Sequence, residues 1–434
     1  MTRPAPSPNG SPPRLPDRRA FLGGAVAAAT SLAVPAVVGQ APPQIVVIGG
    51  GFGGASCARA LKRQQPSLAV TLVEPRARYV ACPFSNAVIA GLRPMQAQEF
   101  DYAGLARQDI RVVPQAATAV DPQARRVRLD DGSELTYDRL VMAPGVELRF
   151  DTLPGYDEAA AAAMPHAWQA GEQTELLRRQ LEAMEDGGLV AISAPANPFR
   201  CPPGPYERAS LIAHYLKTHK PRSKLMILDA KDAFSKQKLF EQAWEQLYPG
   251  LIEWVSLSFG GAVIEVDPAT ITLTTDFGQH RAAVANIIPP QRAGAIARLA
   301  GVAGDTGWCP IDPQTFESTL QPGIHVIGDA AIAGAMPKSA FAANAQAKAC
   351  ATAVIAMVQG RSPEEPRLVN TCYSLCAPDY GISIAGVYRP KDGLLADIQG
   401  AGGVSPLDAP REFRQREAAY AESWFETITT GVFG

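Results

Sequence analysis

The sequence predicts an α/β chain with two Rossmann-like dinucleotide-binding-type domains and a C-terminal interface domain. Three observations carry this reading. Residues 45–74 run as an apolar strand, a glycine turn, a helix-period segment and a second apolar strand, a complete βαβ unit. Residues 189–216 repeat the strand and helix with a different turn between them. Residues 323–330 supply a short apolar strand ending in Gly-Asp, after Ile-Ile-Pro-Pro-Gln-Arg at 287–292 has marked the return to the first domain.

In the first unit, Gly49, Gly51 and Gly54 occupy the positions of G-x-G-x-x-G, and Glu74 follows about 20 residues later at the end of the second strand. The first glycine allows the tight turn. The second lets backbone N–H groups reach a pyrophosphate at the positive end of the helix, and the third lets helix and strand pack closely. Glu74 is placed to accept hydrogen bonds from an adenosine ribose. Gly-Asp at 328–329 resembles the strand end that sets an aspartate on the ribitol chain of FAD in glutathione-reductase-like flavoproteins. Leu-Val-Met-Ala-Pro-Gly at 140–145 resembles the strand end before their crossing into the second domain. Three such motifs in this order assign the cofactor as FAD, with Asp329 among its ligands.

The expected division is a twin-arginine signal peptide over residues 1–41, an FAD-binding domain over 42–155 and 291–360, a second Rossmann-like domain over 156–290, and a C-terminal interface domain over 361–434. At 434 residues the chain exceeds one core. A net charge of −2 gives no reason to expect nucleic acid. Seven widely spaced cysteines match neither a disulfide scaffold nor a zinc site, so no metal is expected. No Cys-x-x-Cys-His occurs, so haem c would have to lie on a partner. Asp17-Arg18-Arg19-Ala20-Phe21-Leu22, followed by a weakly apolar run to Val38, is a twin-arginine pattern. That route exports folded, cofactor-loaded proteins, so the expected location is the periplasm, without an integral membrane segment after cleavage.

Beyond Glu74 stands Tyr79-Val80-Ala81-Cys82-Pro83-Phe84-Ser85-Asn86. With this run the chain is similar, from Ile45 to its end, to the flavoprotein subunit of flavocytochrome c sulfide dehydrogenase. The resemblance implies that Cys82 is bonded to the flavin as a thioether. Pro83 departs from the pattern associated with that link. Cys57 reads as core filler, and residues 110–140 as a small antiparallel excursion.

Between the strand at 189–194 and the helix at 209–216, a nicotinamide-binding domain would carry a second glycine turn. This chain has Pro-Ala-Asn-Pro-Phe-Arg-Cys-Pro-Pro-Gly-Pro-Tyr-Glu at 195–207, and its five prolines restrict φ and remove N–H donors. An NADH or NADPH oxidoreductase is therefore disfavoured. The resemblance makes Cys201 half of a redox-active disulfide and Cys372, in Asn-Thr-Cys-Tyr-Ser at 370–374, the other half. Two readings stand for Arg200 and Arg208: with the following helix N-terminus they favour a Cys201 thiolate, or they are surface or structural charges. Were the segment helical, Cys372 and Cys376 would share a face, with Cys376 either a resolving thiol or a buried bystander. Met336-Pro337-Lys338-Ser339 is expected to open a helix toward the flavin, with Lys338 at the cofactor. Cys309 and Cys350 read as structural, and the 411–434 tail as too polar for a bilayer.

The favoured activity is oxidation of sulfide through the Cys201–Cys372 disulfide, with electrons passing through FAD to a c-type cytochrome subunit. A sulfide:quinone oxidoreductase-like enzyme shares the chemistry, and a non-catalytic flavoprotein partner of a periplasmic sulfur-oxidising system is the alternative from another class.

Overall fold

The glycine turn leaves the central strand of a five-stranded parallel sheet. The structure is a computed structural model that describes Thr2 and residues 41–434. The twin-arginine segment expected within residues 1–41 lies outside the described residues. The sheet runs Ile324–Val326, Arg139–Met142, Gln44–Ile48, Ala69–Val73, Arg111–Val113, so its first strand arrives from almost 200 residues downstream of its neighbour. Ile45, Val46, Val47 and Ile48 are all buried. Such an unbroken apolar run is what a parallel strand covered on both faces requires.

Helices Phe52–Gln64 and Ala340–Val358 pack against each other on this sheet, tied by Asn344 Nδ2 to Ser56 Oγ at 2.7 Å. The 340–358 helix is long and apolar enough to cross a membrane by length and composition. Here Ala347, Ala351 and Val354 are buried within the first core. An antiparallel pair, Val146–Leu148 with Gln291–Ala293, joins the outgoing and returning chains. Between them lies a second parallel sheet ordered Ile252–Val255, Lys224–Asp229, Leu189–Ala194, Val284–Ile287, with helix Gly204–His219 after its Leu189–Ala194 strand. The expected antiparallel excursion is present as strands Ala117–Asp121, Arg126–Leu129 and Glu134–Thr136.

The segment bearing Cys372 and Cys376 is a strand, Leu368–Ala377, paired antiparallel with Tyr380–Lys391, and not a helix. Nine register pairs supply cross-strand partners along the hairpin, which a helical turn here would forfeit. A register shift between Leu375 and Ala377 interrupts the period-two relation between the cysteines. Cys376 is fully buried in the second core, whereas Cys372 is half-buried. Helix Arg411–Phe433 crosses the hairpin at Gly381, where an added Cβ would lie 2.4 Å from Ala418 N.

The same helix reaches the first domain. Phe433 stacks on Tyr79 at 5.2 Å and on Phe100 at 5.3 Å, and meets Phe52 edge-on at 5.8 Å. Truncating a buried aromatic costs about 3–5 kcal/mol, because the lost burial is compounded by a cavity. Phe433→Ala is therefore expected to lower the thermal midpoint and hasten flavin loss, since Tyr79 and Phe52 line the glycine-turn cavity. A midpoint equal to wild type in a thermal melt would show that the helix end adds nothing to the core.

Candidate active site

A cavity of about 360 Å³ opens at the carboxyl ends of the first sheet, where Rossmann-type folds bind ligands. Gly49, Gly51, Glu74, Cys82, Asp329, Cys201 and Cys372 all line it. Gly54 does not. An added Cβ there would lie 1.8 Å from the Gly49 carbonyl oxygen, so Gly54 serves the close helix–strand approach. Glu74 accepts from Gly50 N at 2.8 Å and from Arg76 Nε at 3.0 Å, which fixes its carboxylate beside the turn.

Asp329 lies just past strand Ile324–Val326. Among the described residues its buried Oδ1 has no hydrogen-bond partner, and burial raises its carboxyl above the usual range against the pull of Arg200 and Lys338. An orphaned acceptor in a cavity wall calls for a donor from a ligand. The ribityl hydroxyls of FAD meet that demand, and the glycine turn meets its pyrophosphate. The residues present therefore fit FAD.

Lys338 departs from expectation. Its ammonium does not line the cavity but donates to the Asp329 and Ala331 carbonyls at 2.7 and 2.8 Å and lies 3.9 Å from the Trp308 ring centroid. Burial lowers it to about 8. The helix also starts later than expected, at Ala340. Ser339 is extended and its hydroxyl accepts from Ala342 N at 3.0 Å, which makes it the N-cap. Pro337 thus precedes the helix, and Lys338 braces the Asp329 turn from behind.

Cys201 stands on the proline loop at φ +57°, a conformation few non-glycine residues adopt. Its N–H donates to the Lys338 carbonyl and its carbonyl accepts from Gly204 N, both at 2.8 Å. Gly204 leaves room for the sulfur, since an added Cβ would lie 3.1 Å from Cys201 Sγ. Of the two readings of the neighbouring arginines, the one that favours a Cys201 thiolate is not supported here. Burial pushes the thiol well up, with Glu207 and Cys372 adding to the rise, and Arg200 and Lys236 oppose it without reversing it. Arg208 braces neighbouring segments, donating to Asn86 Oδ1, Asn286 Oδ1 and the carbonyls of His166 and Ala167. Burial lowers it to about 10.

Cys372 reaches the same cavity from the C-terminal hairpin. The Ser339 hydroxyl donates to Asn370 Oδ1 at 2.6 Å, and Asn370 Nδ2 donates to Cys372 Sγ at 3.3 Å. The flavin helix cap and the second cysteine are thus joined by one side chain. All seven cysteines, Cys201 and Cys372 included, are free thiols in this structure. Cys82 also lines the cavity, with its sulfur 3.8 Å from the Trp168 carbonyl oxygen. Fully buried Gln98 donates to the Ala81 carbonyl at 3.0 Å and to the Pro83 carbonyl, and so holds both sides of Cys82.

Sequence reasoning gave no role to Glu207 or Gln98. Glu207 lies in the first turn of the 204–219 helix, accepts from Leu375 N at 2.9 Å and Asn86 Nδ2 at 2.8 Å, and lines the cavity with both cysteines. Burial raises its carboxyl, so it can carry a proton beside them. Its place in the Cys201 run was the one available signal.

The second dinucleotide site is filled by the protein. Asp229 ends its strand as Glu74 does in the first domain, but it accepts from the Tyr206 hydroxyl at 2.6 Å, Trp254 Nε1 at 2.9 Å and Lys231 Nζ at 2.5 Å. Tyr206 stacks on Phe234 at 3.6 Å, and Lys231 also holds the Pro195 carbonyl at 2.7 Å.

Residues 174–289 match the central domain of the sulfide dehydrogenase [flavocytochrome c] flavoprotein chain, and 364–433 match the flavocytochrome c sulphide dehydrogenase flavin-binding domain. The flavoprotein chain from Chlorobaculum thiosulfatiphilum is 62% identical over 45 residues, 10% of this chain and 94% of that one. The chain belongs to this family. Residues 43–183 also match the pyridine nucleotide-disulphide oxidoreductase family. The chain is 23% identical to the mouse mitochondrial sulfide:quinone oxidoreductase over 295 residues, 66% of this chain and 65% of that relative's length. The sulfide:quinone oxidoreductase structure from Aquifex aeolicus superposes with a TM-score of 0.70 at 19% identity, covering 90% of this chain and 92% of that one. These matches confirm the glutathione-reductase-like α/β flavoprotein fold.

Proposed function

We propose that this flavoprotein oxidises sulfide through a redox-active Cys201–Cys372 pair and passes electrons to a c-type cytochrome partner in the periplasm, after twin-arginine export. The observation that carries the reading is one cavity lined by both cysteines and by a dinucleotide cradle, beside a second nucleotide site that the protein has filled. The thioether to Cys82, the haem on the partner and the assembly as a heterodimer belong to the same proposal.

In the oxidised enzyme the two cysteines form a disulfide. Hydrosulfide attacks one sulfur, so a persulfide bond forms as the disulfide bond breaks and the electron pair leaves on the other cysteine as thiolate. A second hydrosulfide takes the bound sulfur away as hydrodisulfide, and that cysteine also becomes a thiolate. Closing the disulfide again releases two electrons, which bound FAD is suited to accept. Glu207 holds or releases a proton beside the sulfurs, and Asn370 donates to Cys372. The Lys338 carbonyl keeps Cys201 in its left-handed turn.

The test is anaerobic addition of sulfide to the purified holoprotein while flavin absorbance is followed. Bleaching by sulfide, re-oxidation by cytochrome c and no bleaching within minutes by NADH are expected. The last follows because Pro202, Pro203 and Pro205 offer no N–H to a pyrophosphate and Asp229 is already saturated. Re-oxidation by a soluble quinone but not by cytochrome c would move the reading to a sulfide:quinone oxidoreductase. Bound FAD that sulfide never reduces would move it to a non-catalytic partner.

A further inference from the structure

Lys236 lies at the N-cap of helix Gln237–Leu247, whose Leu239, Phe240, Ala243 and Trp244 are buried in the second core, and its ammonium ends on the C-terminal hairpin. It adopts φ +62° and is 8% exposed. Its Nζ donates to the Cys372 carbonyl at 2.9 Å and to Ser374 Oγ at 2.8 Å. The titratable groups that face it are Cys372, Glu207, Cys376 and Cys201, drawn from the hairpin, the 204–219 helix and the proline loop. Among the described residues none of the ion pairs includes Lys236; the buried Lys231, by contrast, pairs with Asp229.

A carbonyl and a hydroxyl need only a neutral donor. Burying an ammonium costs several kcal/mol of lost hydration, and burial lowers the Lys236 ammonium while Cys372, Glu207, Cys376 and Cys201 oppose that fall, so its charge is favoured by an anion that forms nearby. The reaction proposed above makes one. Whichever member of the pair hydrosulfide attacks, Cys372 ends as a thiolate or as a persulfide anion.

We propose that Lys236 is a positioning residue for the cysteine pair, one that ties the Cys372 strand to the second domain and supplies the positive charge favouring an anionic sulfur at Cys372. The inference rests on the sulfide reading, but its test does not need sulfide. The holoprotein is reduced with dithionite, and alkylation of Cys372 by iodoacetamide is followed against pH by peptide mass spectrometry in wild type, Lys236→Met, Lys236→Gln and Lys236→Arg. An opposite charge within about 4–6 Å shifts an ionisable group by about 1–3 pH units. The alkylation midpoint is therefore expected to rise by at least about one unit in Lys236→Met and Lys236→Gln and to return toward wild type in Lys236→Arg. Each unit means about tenfold less thiolate at a fixed pH below the midpoint.

An unmoved midpoint in the folded Gln or Met variant overturns the proposal and leaves Lys236 as a strut, whatever its thermal stability. If only Lys236→Arg folds, a wild-type midpoint supports the proposal and a midpoint raised by a unit or more overturns it. A raised midpoint in a protein whose flavin sulfide never reduces keeps the charge on Cys372 and removes the sulfide reading. Wild-type reduction by sulfide with an unmoved midpoint does the reverse.

Discussion

Cys372→Ser is expected to lower sulfide-dependent flavin reduction on the order of 10³-fold or more while leaving FAD bound, and Cys201→Ser should match it. Residues that act as one chemical unit lose nearly the whole effect with either member. Each cysteine is also held in place by contacts that serine preserves. The Cys201 turn depends on backbone bonds to Lys338 and Gly204, and the Cys372 strand on its pairing with Ile384 and on Lys236. FAD retention should therefore stay at the wild-type level, which stops-and-starts of folding would not allow. Cys376→Ser is the control. Cys376 is fully buried, burial lifts its thiol to about 12, and its carbonyl accepts from the Tyr248 hydroxyl at 2.7 Å. It should cost stability and retain most turnover per folded molecule. Stopped-flow absorbance at the flavin band measures all three. Wild-type rates in Cys372→Ser would end the disulfide mechanism, and loss of activity in a folded Cys376→Ser would transfer the role to that residue.

Cys82→Ala is expected to release all of its FAD on acid precipitation, whereas wild type keeps the flavin with the polypeptide. A thioether needs its sulfur held at one point while the ring approaches. The loop meets that need, because Gln98 grips the carbonyls on both sides of Cys82 and Pro83 has no N–H and a restricted φ. The departure of Pro83 from the expected pattern is thus compatible with a rigid attachment point. Before denaturation the variant should still bind FAD, since the glycine turn, Glu74 and Asp329 are untouched. Flavin fluorescence of pellet and supernatant decides the matter. If wild type also loses all its flavin to the supernatant, the covalent bond is absent.

Much of the fold was legible because parallel strands buried on both faces must be continuous apolar runs, and residues 45–48 and 140–142 are such runs. The glycine spacing and Asp329 were legible for a related reason, that a close backbone approach to a pyrophosphate tolerates few residue types. The closed second nucleotide site was half legible. Its prolines declared the missing donors, while saturation of Asp229 by Tyr206, Trp254 and Lys231 required contacts between segments 23 to 25 residues apart and an adjacent lysine.

What the sequence by itself determined was the first βαβ unit, its cofactor class, the loss of the nicotinamide turn and the two runs that carry Cys201 and Cys372. Only the tertiary structure decided that these cysteines share one cavity, that Cys376 faces the core, that Lys338 braces Asp329 from behind, and that Glu207, Gln98 and Lys236 stand around the sulfurs. Local pattern reports backbone propensity and burial period, which act over a few residues. The site is made by side chains distant in sequence, such as Lys236 and Ser374, 138 residues apart, and their meeting is set by how the sheets and the hairpin pack.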